Sequence, residues 1–267
     1  MNMAKDNGKK QRVWILTKAF PQPSQHHEEI VCCAGITEDG REMQRLYPIH
    51  YRLLKPSQQF ERYELVTLET LRPTDDPRPE SAQVVDDSIA LVTGHTLPPR
   101  ERFKLWLPFV ADSLEALQQE NIETGRSLGI VYPDPASVRF SWKSTTEASD
   151  EECENLWVGR QVMLLDKEFP PLQKDFTFFY TFTTGQKRHR RQILDWAVQA
   201  TYYHYSKHYG DEALPRMRTM WQEAFVKQNL HLVMGTMLTH PRAFNIVGVL
   251  RTVADLDAFK TQGNLFG

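Results

Sequence analysis

The chain has 267 residues, 40% hydrophobic and 25% charged, and its 32 Lys and Arg against 34 Asp and Glu leave a formal charge of −2. This composition suits a globular fold of one large domain or two smaller ones. It excludes a helical membrane span, because no apolar run approaches the roughly 20 residues that cross a bilayer.

The polar Met1–Arg12 precedes an apolar stretch, Val13–Leu16, that is too short for a secretory signal. A cytoplasmic location without a membrane partner is therefore expected. Cys32, Cys33 and Cys153 are odd in number and two are adjacent, so no disulfide framework is expected either.

In chain order, residues 1–12 read as a flexible N-terminus and 13–95 as a β module. Val13–Ala19, Glu29–Ile36, Met43–Tyr51 and Tyr63–Leu71 are short apolar runs, partly β-branched, with Glu38-Asp39-Gly40 as a turn. Four such strands predict a small barrel or a strongly curved sheet. Residues 73–100 are rich in Pro and Asp and read as a long connection holding one strand, Ser88–Val92.

Residues 96–267 read as an α+β module. Apolar positions near a 3.6 period predict a helix over Glu101–Gln119, followed by strands at Leu128–Val131 and Val138–Trp142 and a solvated acidic loop, Glu147–Glu154. Arg160–Leu165 and Phe176–Phe182 predict two more strands. Thr183–Gln186 then reads as a turn into a helix from Arg188 to Tyr209, before a second helix, Asp211–Gln228, and closing strands at Leu230–Met234 and Phe244–Leu250. The fold class is α+β: a small β barrel or curved sheet, then helices on an antiparallel or mixed sheet.

The near-neutral total conceals a division. Residues 176–251 hold ten Lys and Arg against four acids, a net +6, which leaves −8 for the rest of the chain. A basic C-terminal third is compatible with a polyanionic partner such as DNA or RNA. Within it, Lys187, Arg188, Arg190 and Arg191 surround His189 directly after the aromatic run Phe176–Phe182. Guanidinium forks serve phosphates and exposed rings serve unpaired bases, so these cations and Tyr180 are candidate nucleic-acid contacts. In the β module, Arg45, Tyr47 and Arg52 form a compact block that offers a second such surface from a barrel face.

Catalysis has thinner support. Asp195 and His189 lie six residues apart beside the arginines and are candidates for general acid–base or metal-assisted phosphodiester chemistry. His204 and His208 have metal-compatible i,i+4 spacing but no convergent third ligand, so neither metal nor cofactor is assigned. The chain has no GxxxxGK[ST], GxGxxG, HExxH, GxSxG or CxxC signature.

The blocks Glu28–Arg52 (EEIVCCAGITEDGREMQRLYPIHYR), Arg78–Ser81 (RPES), Ser127–Ile130 (SLGI), Ile193–Ala197 (ILDWA) and Met234–Val249 (MGTMLTHPRAFNIVGV) resemble a family of prokaryotic proteins of unassigned activity. The resemblance covers most of the chain and implies one inherited unit. Members carry an acid after the Asp-Trp pair where this sequence has Ala197, so the resemblance brings no two-carboxylate site. Three readings follow: a nucleic-acid-associated protein, a metal-dependent nucleotide or phosphodiester-processing enzyme, and a protein–protein adaptor or self-assembling subunit.

Overall fold

The computed structural model describes residues 8–23, 29–145, 163–164, 167–168 and 174–252. The first half contributes β1 (Lys9–Lys18), the two-residue β2 (Gln22–Pro23), β3 (Glu29–Thr37), β4 (Met43–Ile49), β5 (Glu64–Leu71), β6 (Ser81–Val84) and β7 (Ala90–Thr96). β1 pairs antiparallel with β3 and with β5, β3 with β4, and β5 with β6, while β4 and β6 run parallel. The ring β1-β3-β4-β6-β5 thus closes on itself, with the Greek-key connectivity of an OB-type barrel. Val13, Ile15, Val31, Cys33, Leu46, Val66 and Leu68 fill the interior, and the segment between β4 and β5 adds Tyr51, Leu54 and Phe60 to that core.

Two expectations change here. Lys9–Arg12 are not a flexible lead but the start of β1, in register with Thr67–Thr70 of β5. The proline-rich connection contains β6, the strand that completes the ring. Its pairings with β4 and β5 span two residues each, too few to show a period in sequence.

The second half contributes β8 (Val110–Ala111), β9 (Leu128–Val131), β10 (Arg139–Ser144), β11 (Met163–Leu164), β12 (Lys167–Glu168), β13 (Phe176–Thr184), β14 (Lys187–Gln192), β15 (Leu230–Met237) and β16 (His240–Arg251). Its helices, with one just ahead of it, are α1 (Pro99–Trp106), α2 (Leu114–Thr124), α3 (Trp196–Tyr209) and α4 (Ala213–Arg218). The last runs through a π turn, Thr219–Ala224, into α5 (Phe225–Lys227). One sheet has the order β16-β15-β9-β8 and another β10-β13-β14. Aromatic and aliphatic side chains from both sheets, including Phe140, Phe178, Tyr180, Phe182, Leu232 and Ile246, join Trp221 of the π turn in the largest core cluster.

The helix expected over Glu101–Gln119 is two helices. Pro108 interrupts it, Ser113 restarts it by accepting the Ala116 N–H at 3.0 Å, and Gly125 ends it at φ +79°. The helix expected from Arg188 begins at Trp196 instead, where Asp195 accepts the Ala197 N–H at 2.9 Å. Gly185, at φ +54°, turns residues 187–192 back onto β13 as β14. Cations at a helix N-terminus would oppose the dipole, and a strand removes that conflict. The acidic stretch Glu147–Glu154 lies outside the described residues, as does most of Arg160–Leu165.

The halves share a core. Leu16, Ala34, Ile36 and Met43, on the outside of the barrel, pack with Trp106, Leu128, Ile130, Val233, Val247 and Leu250. Three arginines of the first half each donate to a backbone carbonyl of the second: Arg45 to Ser127 at 3.0 Å, Arg62 to Val249 at 3.1 Å and Arg78 to Thr236 at 2.6 Å. No helix among the described residues is long and apolar enough to cross a membrane.

Candidate nucleic-acid interface

Antiparallel pairing decides where the basic run points. Tyr180 is opposite Arg191, Thr181 opposite Arg190, Phe182 opposite His189 and Thr183 opposite Arg188. Phe178, Tyr180, Phe182 and Thr184 are buried, whereas Thr177, Phe179, Thr181 and Thr183 are not, so alternate residues of β13 face out of the core. Arg188, Arg190 and Gln192 share that outer face, and β10 adds Arg139 opposite Thr181, Ser141 opposite Phe179 and Lys143 opposite Thr177.

The face is uniformly basic. β10, β13 and β14 together carry six cations and no carboxylate, four of the cations being at outward positions. Arg139, Arg188 and Arg190 are exposed, and no carboxylate of the described residues lies within 4.0 Å of them. The one outward aromatic, Phe179, is half-buried, with the Arg190 guanidinium carbon 3.7 Å from its ring centroid. Cations among Ser, Thr and Gln side chains can neutralise a row of phosphates and donate hydrogen bonds to them.

The run itself is divided between two sides. Arg191 points inward and is half-buried; its Nε has no partner among the described residues, and burial lowers its pKa. His189 is buried against Glu115, Nε2 to Oε2 at 3.3 Å, and burial likewise holds it below the usual imidazole range. It adds no charge to the cluster at neutral pH. Lys187 is exposed at the hairpin end on the inward register.

Tyr180 is fully buried and donates its hydroxyl to the Trp221 carbonyl at 2.5 Å, so it is core rather than a stacking surface. Its neighbour Phe179 holds the outward position. Arg45 does project outward from the barrel wall, but the second half of the molecule covers that wall. The side chain is 4% exposed, bonded to the Ser127 carbonyl and to its hydroxyl at 3.2 Å. The wall built from β3 and β4 corresponds to the one with which OB barrels bind oligonucleotides. Here Ala34, Ile36 and Met43 bury it, and a second contact surface through Arg45 is closed.

Tyr47, on the same strand, is 37% exposed. Burial raises its pKa, with Cys32 and Asp75 acting the same way and Arg78, which is ion-paired with Asp76, opposing them. Arg52 is half-buried in the turn Tyr51–Leu53.

Asp195 and His189 are not brought into one site. Asp195 is 0% exposed, ion-paired with Arg62 and bonded to the Val249 and Ala197 N–H groups, each at 2.9 Å. His189 contacts Glu115 of α2. Each is committed to its own structural network, and no group of three metal-ligating side chains occurs among the described residues.

Sequence reading did not single out Arg139, Ser141 or Lys143. Their signal is the alternation in Arg139–Ser144, where Phe140 and Trp142 interleave with polar residues.

No curated protein matches the sequence. Among solved structures, one reported as "Crystal structure of Ifi202 HINa domain in complex with 20bp dsDNA" is similar at a TM-score of 0.34 and 9% identity, over 70% of this chain and 74% of that one. Another, reported as "Molecular basis for abrogation of activation of pro-inflammatory cytokines", has a TM-score of 0.34 and 10% identity over 72% and 80%. These likenesses are too low to inform fold or ligand. Residues 9–108 match "Domain of unknown function (DUF8758)". Residues 110–266, more than half of the chain, match "Domain of unknown function (DUF8757)", and the protein belongs to that family.

Proposed function

We propose that the protein binds nucleic acid through the outer face of the β10-β13-β14 sheet. The observation that carries this reading is the charge of that face: Arg139, Lys143, Arg188 and Arg190 at outward positions of three strands that contain no Asp or Glu. A sheet needing only solubility mixes both signs on its exposed face, because like charges on neighbouring strands repel. A polyanion removes that repulsion and releases counterions as it binds.

The test is the triple replacement of Arg139, Arg188 and Arg190 by Ala, assayed for binding of DNA and RNA, single- and double-stranded, at several salt concentrations. The expected result is weaker binding and a shallower salt dependence, by about 0.7–0.9 in log–log slope for each phosphate that is no longer neutralised. Unchanged affinity and slope in the triple variant would remove this face from consideration. Asp195 and His189 are held in separate structural networks, so the geometry gives the phosphodiester-processing alternative no catalytic pair.

A further inference from the structure

Resting on that reading, we infer that the ligand of the sheet face is a single strand, DNA or RNA, and that one unpaired base stacks on the Arg190 guanidinium where Phe179 backs it. Three observations carry the inference. Phe179 is the lone aromatic at the outward positions of β13, in the central strand of the sheet. The Arg190 guanidinium carbon sits 3.7 Å from its ring centroid, so the charged plane rests on an apolar support and is held close to the sheet. The positions around the pair, Ser141, Thr181 and Gln192, carry short or medium polar side chains that leave the surface low.

This shape suits one kind of nucleic acid. Specific duplex readout needs an element that enters a groove, such as a helix or a two-stranded ribbon. A broad three-stranded face does not enter one. A single strand instead lays its bases on aromatic or guanidinium planes while its phosphates meet flanking cations. Arg188 lies two residues from Arg190 on the same face, about 6.8 Å along the strand. Arg139 lies two strands away, about 9.6 Å. Cations therefore stand on two sides of the stacking pair, and the backbone of a strand whose base covers Arg190 passes within reach of both.

The experiment measures fluorescence anisotropy of the full chain with labelled oligothymidylate and oligouridylate of about 16 nucleotides, and with duplexes of the same length. Three variants are compared with the parent: Arg190→Lys, which keeps the charge and removes the plane; Phe179→Leu, which keeps an apolar side chain and removes the ring; and Arg188→Ala. Thermal melts confirm that each is folded. At least one single strand is expected to bind about tenfold or more tightly than its duplex. Arg190→Lys and Phe179→Leu should each weaken single-strand binding about tenfold with the salt slope unchanged, whereas Arg188→Ala should make the slope shallower.

Equal affinity for duplexes, or a silent Arg190→Lys, would overturn the stacking inference while Arg188→Ala still reports a phosphate-binding face. If neither single strands nor duplexes bind, the nucleic-acid assignment of the face fails, and the inference fails with it.

Discussion

Asp195 is buried among an arginine, a helix start and a strand edge, and its role follows from those neighbours. It caps α3 through Ala197, receives the Val249 N–H and pairs with Arg62, which also donates to the Val249 carbonyl. Replacing it by Ala would leave the half-buried Arg62 guanidinium without its ion pair and the Ala197 and Val249 amides without their acceptor. Breaking a fully buried pair costs about 3–5 kcal/mol. Arg62 keeps access to water and its bonds to Val249 and Thr17, which places Asp195→Ala at the lower end of that range. The variant is expected to shift the urea midpoint downward, and one as stable as the parent would contradict this role. Histidine charge gives a second expectation at this scale. Burial lowers the pKa of His189, with Glu115 opposing, and of His231, with the Asn229 carbonyl opposing. The unfolded imidazoles titrate near about 6.5. Between that pH and the lower folded values the unfolded chain binds more protons, so stability falls as pH drops below about 6.5. Urea melts across that range should show the decline, and His231→Gln should flatten it.

At the scale of elements, the legible parts were those whose burial repeats. Val13, Ile15, Val66 and Leu68 alternate inward, and the four long barrel strands follow from such runs. The alternation of β13 is equally plain, since Phe178, Tyr180 and Phe182 recur at every second position. Two things were hidden. β6 is four residues long and pairs over two on each side, so no sequence window holds its period. β14 reads KRHRRQ, with one buried His among exposed or half-buried polar residues; its partner β13, not its own sequence, makes it a strand. Reading that run as a helix start keeps the cations together. As a strand it places Arg188 and Arg190 on one side and His189 and Arg191 on the other, which moves the candidate site onto β10 and Phe179. The sequence placed Arg45 on a barrel face, but only tertiary packing shows that its wall is covered.

At the scale of the whole molecule, the matched regions 9–108 and 110–266 are distinct family units, yet their boundary is not a break in packing. Ten residues from both sides form one buried cluster, and three arginines cross the seam. Either half alone would expose Leu16, Ile36 and Met43, or Ile130, Val233 and Leu250, in a patch that favours aggregation. Separately produced halves are expected to be aggregated or poorly folded, and to recover cooperative unfolding when co-expressed. Two halves that each melt cooperatively alone would show the seam to be dispensable. The chemistry of the seam also sets how the sequence can drift. Each of the three arginines donates to a main-chain oxygen, an acceptor that every amino acid supplies. Substitutions at Thr236 or Val249 therefore leave their side of the bond in place, whereas Arg45, Arg62 and Arg78 have no such freedom. Ser127 and Asp195 are the exceptions in the second unit: Arg45 also donates to the Ser127 hydroxyl and Arg62 also pairs with the Asp195 carboxylate, so these two side chains are tied to the seam as the arginines are.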